Sequence, residues 1–168
     1  MLTVDISSLS PGIHHREFTP SATEVELDPT TFENVSIEAE LQYHRDRILV
    51  KLEVSATAHL TCDRTLEPYE QPVTGRYGLL FGPPEMVGTE GEEFEEVRPL
   101  TPSDQEIDLT DVVRDTLLLA LPQRRVAPGA EEKSIDREFG PSDEEGNESV
   151  DPRWSKLQQL KDDDSSSE

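Results

Sequence analysis

Apolar and polar residues alternate along two neighbouring stretches in the first half of the chain. From Val35 to Tyr43 the apolar residues occupy every second position, and the same alternation resumes from Ile48 to Leu60. A period of two is typical of a strand with one buried face. The polar break His44–Arg47 is short enough for a tight connection, so the pattern predicts an antiparallel hairpin.

A third alternating stretch runs from Tyr69 to Phe81 and predicts another strand of the same sheet. Gly75 and Gly78 lie inside this stretch, and glycines in a strand pattern indicate a bulge or a bend. Two shorter strands are predicted nearer the N-terminus, with proline-containing turns beside them: the strands at Leu2–Ile6 and Val25–Leu27, the turns at Pro11-Gly12 and Asp28-Pro29.

The clearest helical pattern extends from Ile107 to Leu121, where leucine and valine recur at spacings of three and four residues. Leu118 and Leu119 widen this apolar stripe, and we expect the whole stripe to be buried against the sheet. Asp108 is the expected N-cap, and Pro122 ends the helix because its ring disfavours helical backbone in the residue before it. The combination predicts an α+β fold.

Composition limits how much of the chain can pack into that fold. Only 33% of the 168 residues are apolar, below the usual share for a globular domain. We therefore predict one β-rich domain, an antiparallel, strongly twisted or barrel-like sheet covered by one main helix, and acidic segments outside it. The predicted domain spans residues 1–126 and contains the helix 108–121 and a flexible acidic insertion, 83–106, with a candidate edge strand at Phe94–Val97. It is followed by an acidic linker (127–150), a short helix (151–161) and a disordered tail (162–168).

Negative charge is concentrated in two segments of the chain. The formal net charge is −22, and residues 85–111 contain ten acidic side chains and one basic one, while residues 131–168 contain thirteen and five. This balance argues against coating nucleic acid, whose affinity comes from Lys and Arg on phosphates. Two interpretations remain open, solubility in a salty cytoplasm and binding of a basic partner.

Catalytic and metal chemistry find little support in the sequence. His59 and Cys62 are three residues apart, but a structural zinc needs four ligands and the chain has one cysteine. A nucleophilic Cys62 would need a neighbouring base, so a half-buried, inert thiol is the favoured interpretation. Acid/base catalysis needs carboxylates held at a defined separation, and here they occur in runs, so a hydrolase is the least favoured of the functions considered. We predict a non-enzymatic protein without cofactor or small-molecule substrate.

The sequence also predicts where in the cell the protein is located. No apolar stretch approaches the length of a membrane span, and the first residues lack the layout of a secretory signal. We therefore expect a cytoplasmic protein without a membrane partner. The basic residues left for binding include Arg124 and Arg125 after the helix, which could contact phosphate or pair with the chain's own acidic segments.

Three motifs occur in a recognisable order. They are Cys62-Asp63-Arg64-Thr65-Leu66-Glu67-Pro68, the helix that ends in Leu121-Pro122, and Asp151-Pro152-Arg153-Trp154. Together they resemble the YceD family, the large ribosomal RNA subunit accumulation proteins of bacteria and plastids. The family carries two cysteine pairs that look like a zinc-ligand set, whereas here Thr65 replaces the second cysteine and residues 123–150 contain none. Cys62 is then a remnant of that site.

The resemblance implies a non-enzymatic role in the accumulation or processing of 23S rRNA of the large subunit. The acidic segments predict that the chain binds a basic ribosomal or rRNA-processing protein, and rRNA itself is a further candidate partner. The alternative is an RNA-binding adaptor that uses Arg45, Arg47, Arg124 and Arg125. The predicted binding residues are Arg64, Arg124, Arg125, Arg153 and Trp154.

Overall fold

The structure, a computed structural model, describes residues 1–89 and 91–132. Most of this part of the chain is β-structure with one α-helix. The strands are β1 (Thr3–Asp5), β2 (Gly12–Phe18), β3 (Phe32–His44), β4 (Arg47–Thr61), β5 (Pro68–Gly82), β6 (Glu96–Pro99) and β7 (Glu106–Asp108), the helix is α1 (Thr110–Leu119), and 3₁₀ turns span Ala22–Val25 and Pro84–Met86.

Five strands form the main sheet in the order β2-β3-β4-β5-β6, and β1 pairs with β7 in a separate antiparallel ribbon. The predicted hairpin is confirmed, because β3 and β4 pair from Phe32 to His44 around a two-residue turn. The prediction of a wholly antiparallel sheet is wrong at one edge, where β6 runs parallel to β5. The segment that connects β5 to β6 returns along β5 to Gly78, so β6 begins beside Leu79 and runs in the same direction as β5. Within the described residues β2 and β6 remain separate edges, so the sheet is not a closed barrel.

Of the two features predicted at Gly75 and Gly78, a bulge or a bend, the bulge is wrong, because β4 and β5 pair without a register shift from Ile48 to Thr61. The glycines instead leave room for neighbouring chain on opposite faces of β5. A Cβ on Gly75 would lie 2.5 Å from the Thr116 Cγ2 of α1, and one on Gly78 would collide with the backbone carbonyl of Glu93. The bulge occurs between Glu33 and Ser36 of β3.

Two N-terminal elements differ from the sequence prediction. The strand predicted at Val25–Leu27 is wrong, since Ala22–Val25 is a 3₁₀ turn held by a capping box between Ser21 and Glu24. Strand β2 was not predicted, because both its faces are largely exposed and it lacks apolar alternation. The short strand near the N-terminus and the turn at Asp28 are confirmed, the latter by the Thr30 N–H donating to the Asp28 carboxylate.

The helix begins later than predicted, at Thr110, because Ile107 and Asp108 pair with β1 instead. Leu109 is the N-cap residue, but Asp108 still accepts the Thr110 N–H at 2.9 Å. The expectation that the whole apolar stripe is buried is also wrong. Leu117 is fully buried, whereas Leu118 is 46% and Leu119 is 85% exposed. A helix lying on one face of a sheet can bury only one side.

The core lies between α1 and one face of the sheet, and it includes the inward-facing residues of β3, β4 and β5. Arg98 of β6 ties the edge of the sheet to this helix, since its guanidinium donates two hydrogen bonds of 2.7 and 3.0 Å to the Asp111 carboxylate. The candidate edge strand at Phe94–Val97 is found two residues later, at 96–99, so the acidic segment 83–106 contains more regular structure than predicted. The helix 151–161, the tail 162–168 and most of the linker 127–150 lie outside the described residues.

Candidate functional site

The face of the sheet opposite the core carries rows of charged side chains. Antiparallel register places Glu17 of β2 beside Glu38 of β3, and Glu38 beside Glu53 of β4. Paired residues in an antiparallel sheet point to the same face, so three glutamates stand side by side across three strands. Like charges in directly opposed positions destabilise a sheet. Arg76 of β5, opposite Glu53, offsets part of this repulsion through an ion pair at 3.0 Å, and the remainder costs folding stability.

The neighbouring row mixes the two signs of charge. His15, Glu40 and Lys51 lie opposite one another on β2, β3 and β4. The Lys51 ammonium contacts the Glu93 carboxylate at 2.9 Å, and this hydrogen bond raises the pKa of Lys51. The Glu95 carboxylate accepts the Gly78 N–H at 2.6 Å, which fixes the acidic segment over β5.

These rows line an open depression of about 550 Å³ on the sheet face. We call it the acidic face, and its charged residues are Glu17, Glu38, Glu40, Glu53, Glu93 and Glu95, together with Lys51, Arg76 and, at its margin, Arg16. Arg76 is already paired with Glu53 at 3.0 Å, as Lys51 is with Glu93. Negative charge therefore exceeds positive charge on this surface, and it suits a cationic ligand.

A small apolar cluster borders the acidic face. Leu49, Leu80 and Val97 form it on the same side of the sheet, with Met86 and Phe94 packed against them. The aromatic ring of Phe94 anchors the segment that carries Glu93 and Glu95. This cluster explains how an acidic, proline-containing segment stays on the sheet.

A second group of predicted residues surrounds the turn after β4. The Asp63 N–H donates to the Arg125 carbonyl at 2.6 Å, and the Arg125 N–H donates to the Asp63 carboxylate at 2.8 Å. This reciprocal pair brings the backbones of Arg64, Arg124 and Arg125 to one end of the domain. The side chains of Arg124 and Arg125 are exposed, whereas Arg64 is partly buried.

Cys62 lies beneath this turn and is fully buried, not half-buried as expected from sequence. Its Sγ accepts the Ala127 N–H at 3.4 Å. This hydrogen bond, followed by one from the Thr65 hydroxyl, lowers the pKa of the thiol to about 7 because both donors favour the thiolate. The buried sulfur is thus a hydrogen-bond acceptor within the fold.

The residues around Cys62 do not fit the zinc site that the family resemblance implies. A tetrahedral structural site needs four ligands, and no group of three potential ligands occurs among the described residues. Thr65 hydrogen-bonds to the sulfur in place of a second thiolate. His59, the other candidate ligand, lies instead between Glu33 and Glu70, at 3.2 and 3.7 Å.

The remaining arginines of the RNA-binding alternative are elsewhere. Arg45 is in the turn between β3 and β4, and Arg47 begins β4, whereas the Arg124–Arg125 segment packs beyond the other end of that strand. Strand β4, which begins at Arg47 and has fifteen residues, extends from one pair to the other, roughly 45 Å at the usual rise per residue. The structure therefore divides this set of arginines. Arg153 and Trp154 lie outside the described residues.

Sequence reasoning missed the acidic face. The alternation of Glu38 and Glu40 on β3 and the position of Glu53 on β4 indicated exposed glutamates. Their alignment into a row with Glu17 depends on β2 and on the strand register, which no local pattern gave. The acidic segments were recognised from charge alone, but not where they lie on the sheet.

The described part of the chain is thus a mostly-β protein with one covering helix, an acidic sheet face and an arginine-bearing turn at one end. None of its helices is long and apolar enough to cross a membrane. The chain belongs to the YceD family: residues 50–161 match the family described as large ribosomal RNA subunit accumulation protein YceD. Neither a curated protein nor a solved structure matches it.

Proposed function

We propose that this protein supports the accumulation of 23S rRNA by binding a basic ribosomal or rRNA-processing protein on the acidic face, without catalysing a reaction. The family name links the chain to large-subunit rRNA. The observation that carries the proposal is the row Glu17, Glu38 and Glu53, three like charges side by side on the sheet that the Arg76–Glu53 ion pair offsets only in part. A row that lowers stability is best explained by the ligand that neutralises it.

The mechanism is electrostatic capture. A basic protein that has not yet met rRNA carries unneutralised Lys and Arg side chains, and a surface of opposite sign steers and holds it. Phosphates of rRNA carry a denser array of negative charge than the acidic face, so rRNA can displace the protein. The basic protein is thereby kept available until rRNA takes it over.

Crosslinking with mass spectrometry from cells tests the partner directly. Crosslinks from β2 and β3 to a basic large-subunit or processing protein support the proposal, and crosslinks confined to rRNA contradict it.

With the purified partner, we expect Glu38→Gln/Glu53→Gln to weaken binding about tenfold. Glu106→Gln/Glu132→Gln removes the same charge from exposed positions outside the acidic face and should change affinity little. Equal losses in both variants would contradict a located site.

Direct RNA binding is a second candidate, because the turn after β4 gathers Arg64, Arg124 and Arg125 at one end of the domain. If these residues contact phosphates, Arg124→Ala/Arg125→Ala should reduce the salt dependence of RNA affinity by about two counterions. An unchanged slope removes this candidate. Arg45→Ala/Arg47→Ala, at the other end of β4, is the matched comparison.

A further inference from the structure

Among the residues that the structure describes, β2 has a strand partner on one side only, and its other edge offers a way for a partner chain to bind. We infer that an extended Lys- or Arg-rich segment of the basic partner protein adds to the edge of β2 as a further strand. The inference rests on the proposed function for the positive charge of that partner. The acidic face then neutralises its side chains. Main-chain hydrogen bonds supply affinity in this mode of recognition, and alternate side chains supply specificity.

The backbone groups at this edge can be identified from the register. The two-residue turn after His44 makes His44 and Arg47 a hydrogen-bonded pair, and such pairs alternate along a strand. The odd-numbered residues of β3 therefore bond to β2, where they face its even-numbered residues. Three residues of β2 direct N–H and C=O groups away from the sheet, namely Ile13, His15 and Glu17.

Among the described residues, this edge has only part of the protection that edge strands usually carry: it contains the charged Arg16 and Glu17, and the Arg16 guanidinium donates to the outward His15 carbonyl at 3.1 Å. Proteins blunt exposed edges with lysine, proline, bulges or very short strands. Strand β2 pairs with β3 over seven residues without a register shift and contains neither lysine nor proline. The opposite edge differs, because β6 has four residues and ends at Pro99. Within the described part of the chain, β2 is therefore the edge of the main sheet that is more open to pairing.

The side chains beside the open edge specify the chemistry of the segment. Ile13, His15 and Glu17 share the face that carries Glu38 and Glu40, and Ile13 is 62% exposed. A strand added about 4.8 Å from β2 would place alternate residues on this face. We expect a basic residue beside Glu17 and an apolar one beside Ile13.

A second copy of this chain is a poorer occupant. Pairing β2 with another β2 would bring two acidic faces together, and each chain has a formal net charge of −22. Like charges placed across a sheet oppose pairing. A cationic segment gains from the same surface, so charge complementarity selects it.

The test uses the full chain and a ten-residue fluorescent peptide in which lysine alternates with valine, with a glutamate-for-lysine peptide as its control. His15→Pro removes one outward N–H while leaving the bonds to β3, since proline is tolerated where the N–H faces solvent. His15→Ala removes the imidazole and keeps the N–H. We expect His15→Pro to weaken peptide binding about tenfold and His15→Ala less than about twofold.

Hydrogen exchange gives a second measurement that does not depend on a variant folding. In the unaltered chain the peptide should slow exchange at the amides of Ile13, His15 and Glu17. Absence of saturable binding, equal affinity of the two His15 variants when both are folded, or unchanged exchange overturns the inference. If Glu38→Gln/Glu53→Gln still weakens binding of the purified basic partner protein in those cases, the proposed function survives. A dimer in sedimentation that His15→Pro dissociates would identify a second copy as the occupant and overturn the inference.

Discussion

Gly75 of β5 lies directly beneath Thr116 of α1, and a Cβ at that position would come within 2.5 Å of the threonine methyl group. At this crossing the helix lies close to the sheet because β5 has no side chain there. Thr116 is itself nearly buried and donates its hydroxyl to the Val112 carbonyl at 2.6 Å. The contact fixes where the helix crosses the sheet.

We expect Gly75→Ala to lower the free energy of unfolding by about 1–3 kcal/mol, because an extra methyl group overpacks this contact. Urea denaturation measures the change. Adding Thr116→Ser removes the Cγ2 methyl and should restore part of the loss. A double variant no more stable than Gly75→Ala alone would show that the strain lies elsewhere.

Two leucines of α1 that are two residues apart give a matched test of the core. Leu117→Asp should abolish folding, with a cost above about 4 kcal/mol, because it places a charge at a fully buried position. Leu119→Asp makes the same chemical change where the side chain is 85% exposed and should alter stability by less than about 0.5 kcal/mol. Circular dichroism and thermal unfolding report both. A folded Leu117→Asp protein would contradict the packing of α1.

The glutamate row predicts a gain of stability on mutation. Glu38 lies between Glu17 and Glu53, so Glu38→Gln should raise the free energy of unfolding by about 0.2–1 kcal/mol. Glu40 lies between His15 and Lys51, and Glu40→Gln should be neutral or destabilising. Denaturation at low and moderate salt measures both, since salt screens the repulsion. Equal effects of the two substitutions would contradict the repulsive row.

Cys62 predicts a dependence of stability on pH. Hydrogen bonds lower the pKa of its thiol from 9.0 to about 7 in the folded chain. A lowered pKa stabilises the fold above the unfolded value, and this contribution is lost as pH falls through the folded value. The stability advantage over Cys62→Ala should therefore grow from pH 7 to pH 9. Urea denaturation under reducing conditions tests this, with Cys62→Ser as the non-titrating control of similar size. A constant difference would contradict the shift.

The sequence predicted those elements whose burial has a clear period. Strands β3, β4 and β5 each bury one face along most of their length, so alternation located them and the turn at Arg45. Strand β2 buries almost nothing, and Ile107 joins a strand although its spacing fits the helix. In both cases pairing with a distant segment decided the structure, and local pattern carries no information about the pairing partner.

The candidate site divides in the same way. Acidity and the arginines after α1 were evident from composition and order along the chain. The docking of Arg125 against Asp63 required a contact across 62 residues, and the glutamate row required the register of three strands. Thr65 in place of a second family cysteine was visible in the sequence. That its hydroxyl would bond to the remaining sulfur was not.

The pairing of β1 with β7 has a consequence for synthesis of the chain on the ribosome. Strands β2 to β5 are neighbours in sequence and can associate as soon as they emerge, whereas Thr3 must wait for Asp108. Contacts between such distant segments form slowly, at translation rates of about 5–20 residues per second. Strand β1 therefore remains unpaired until β7 has left the exit tunnel, so the β1–β7 ribbon forms late in the synthesis of the protein.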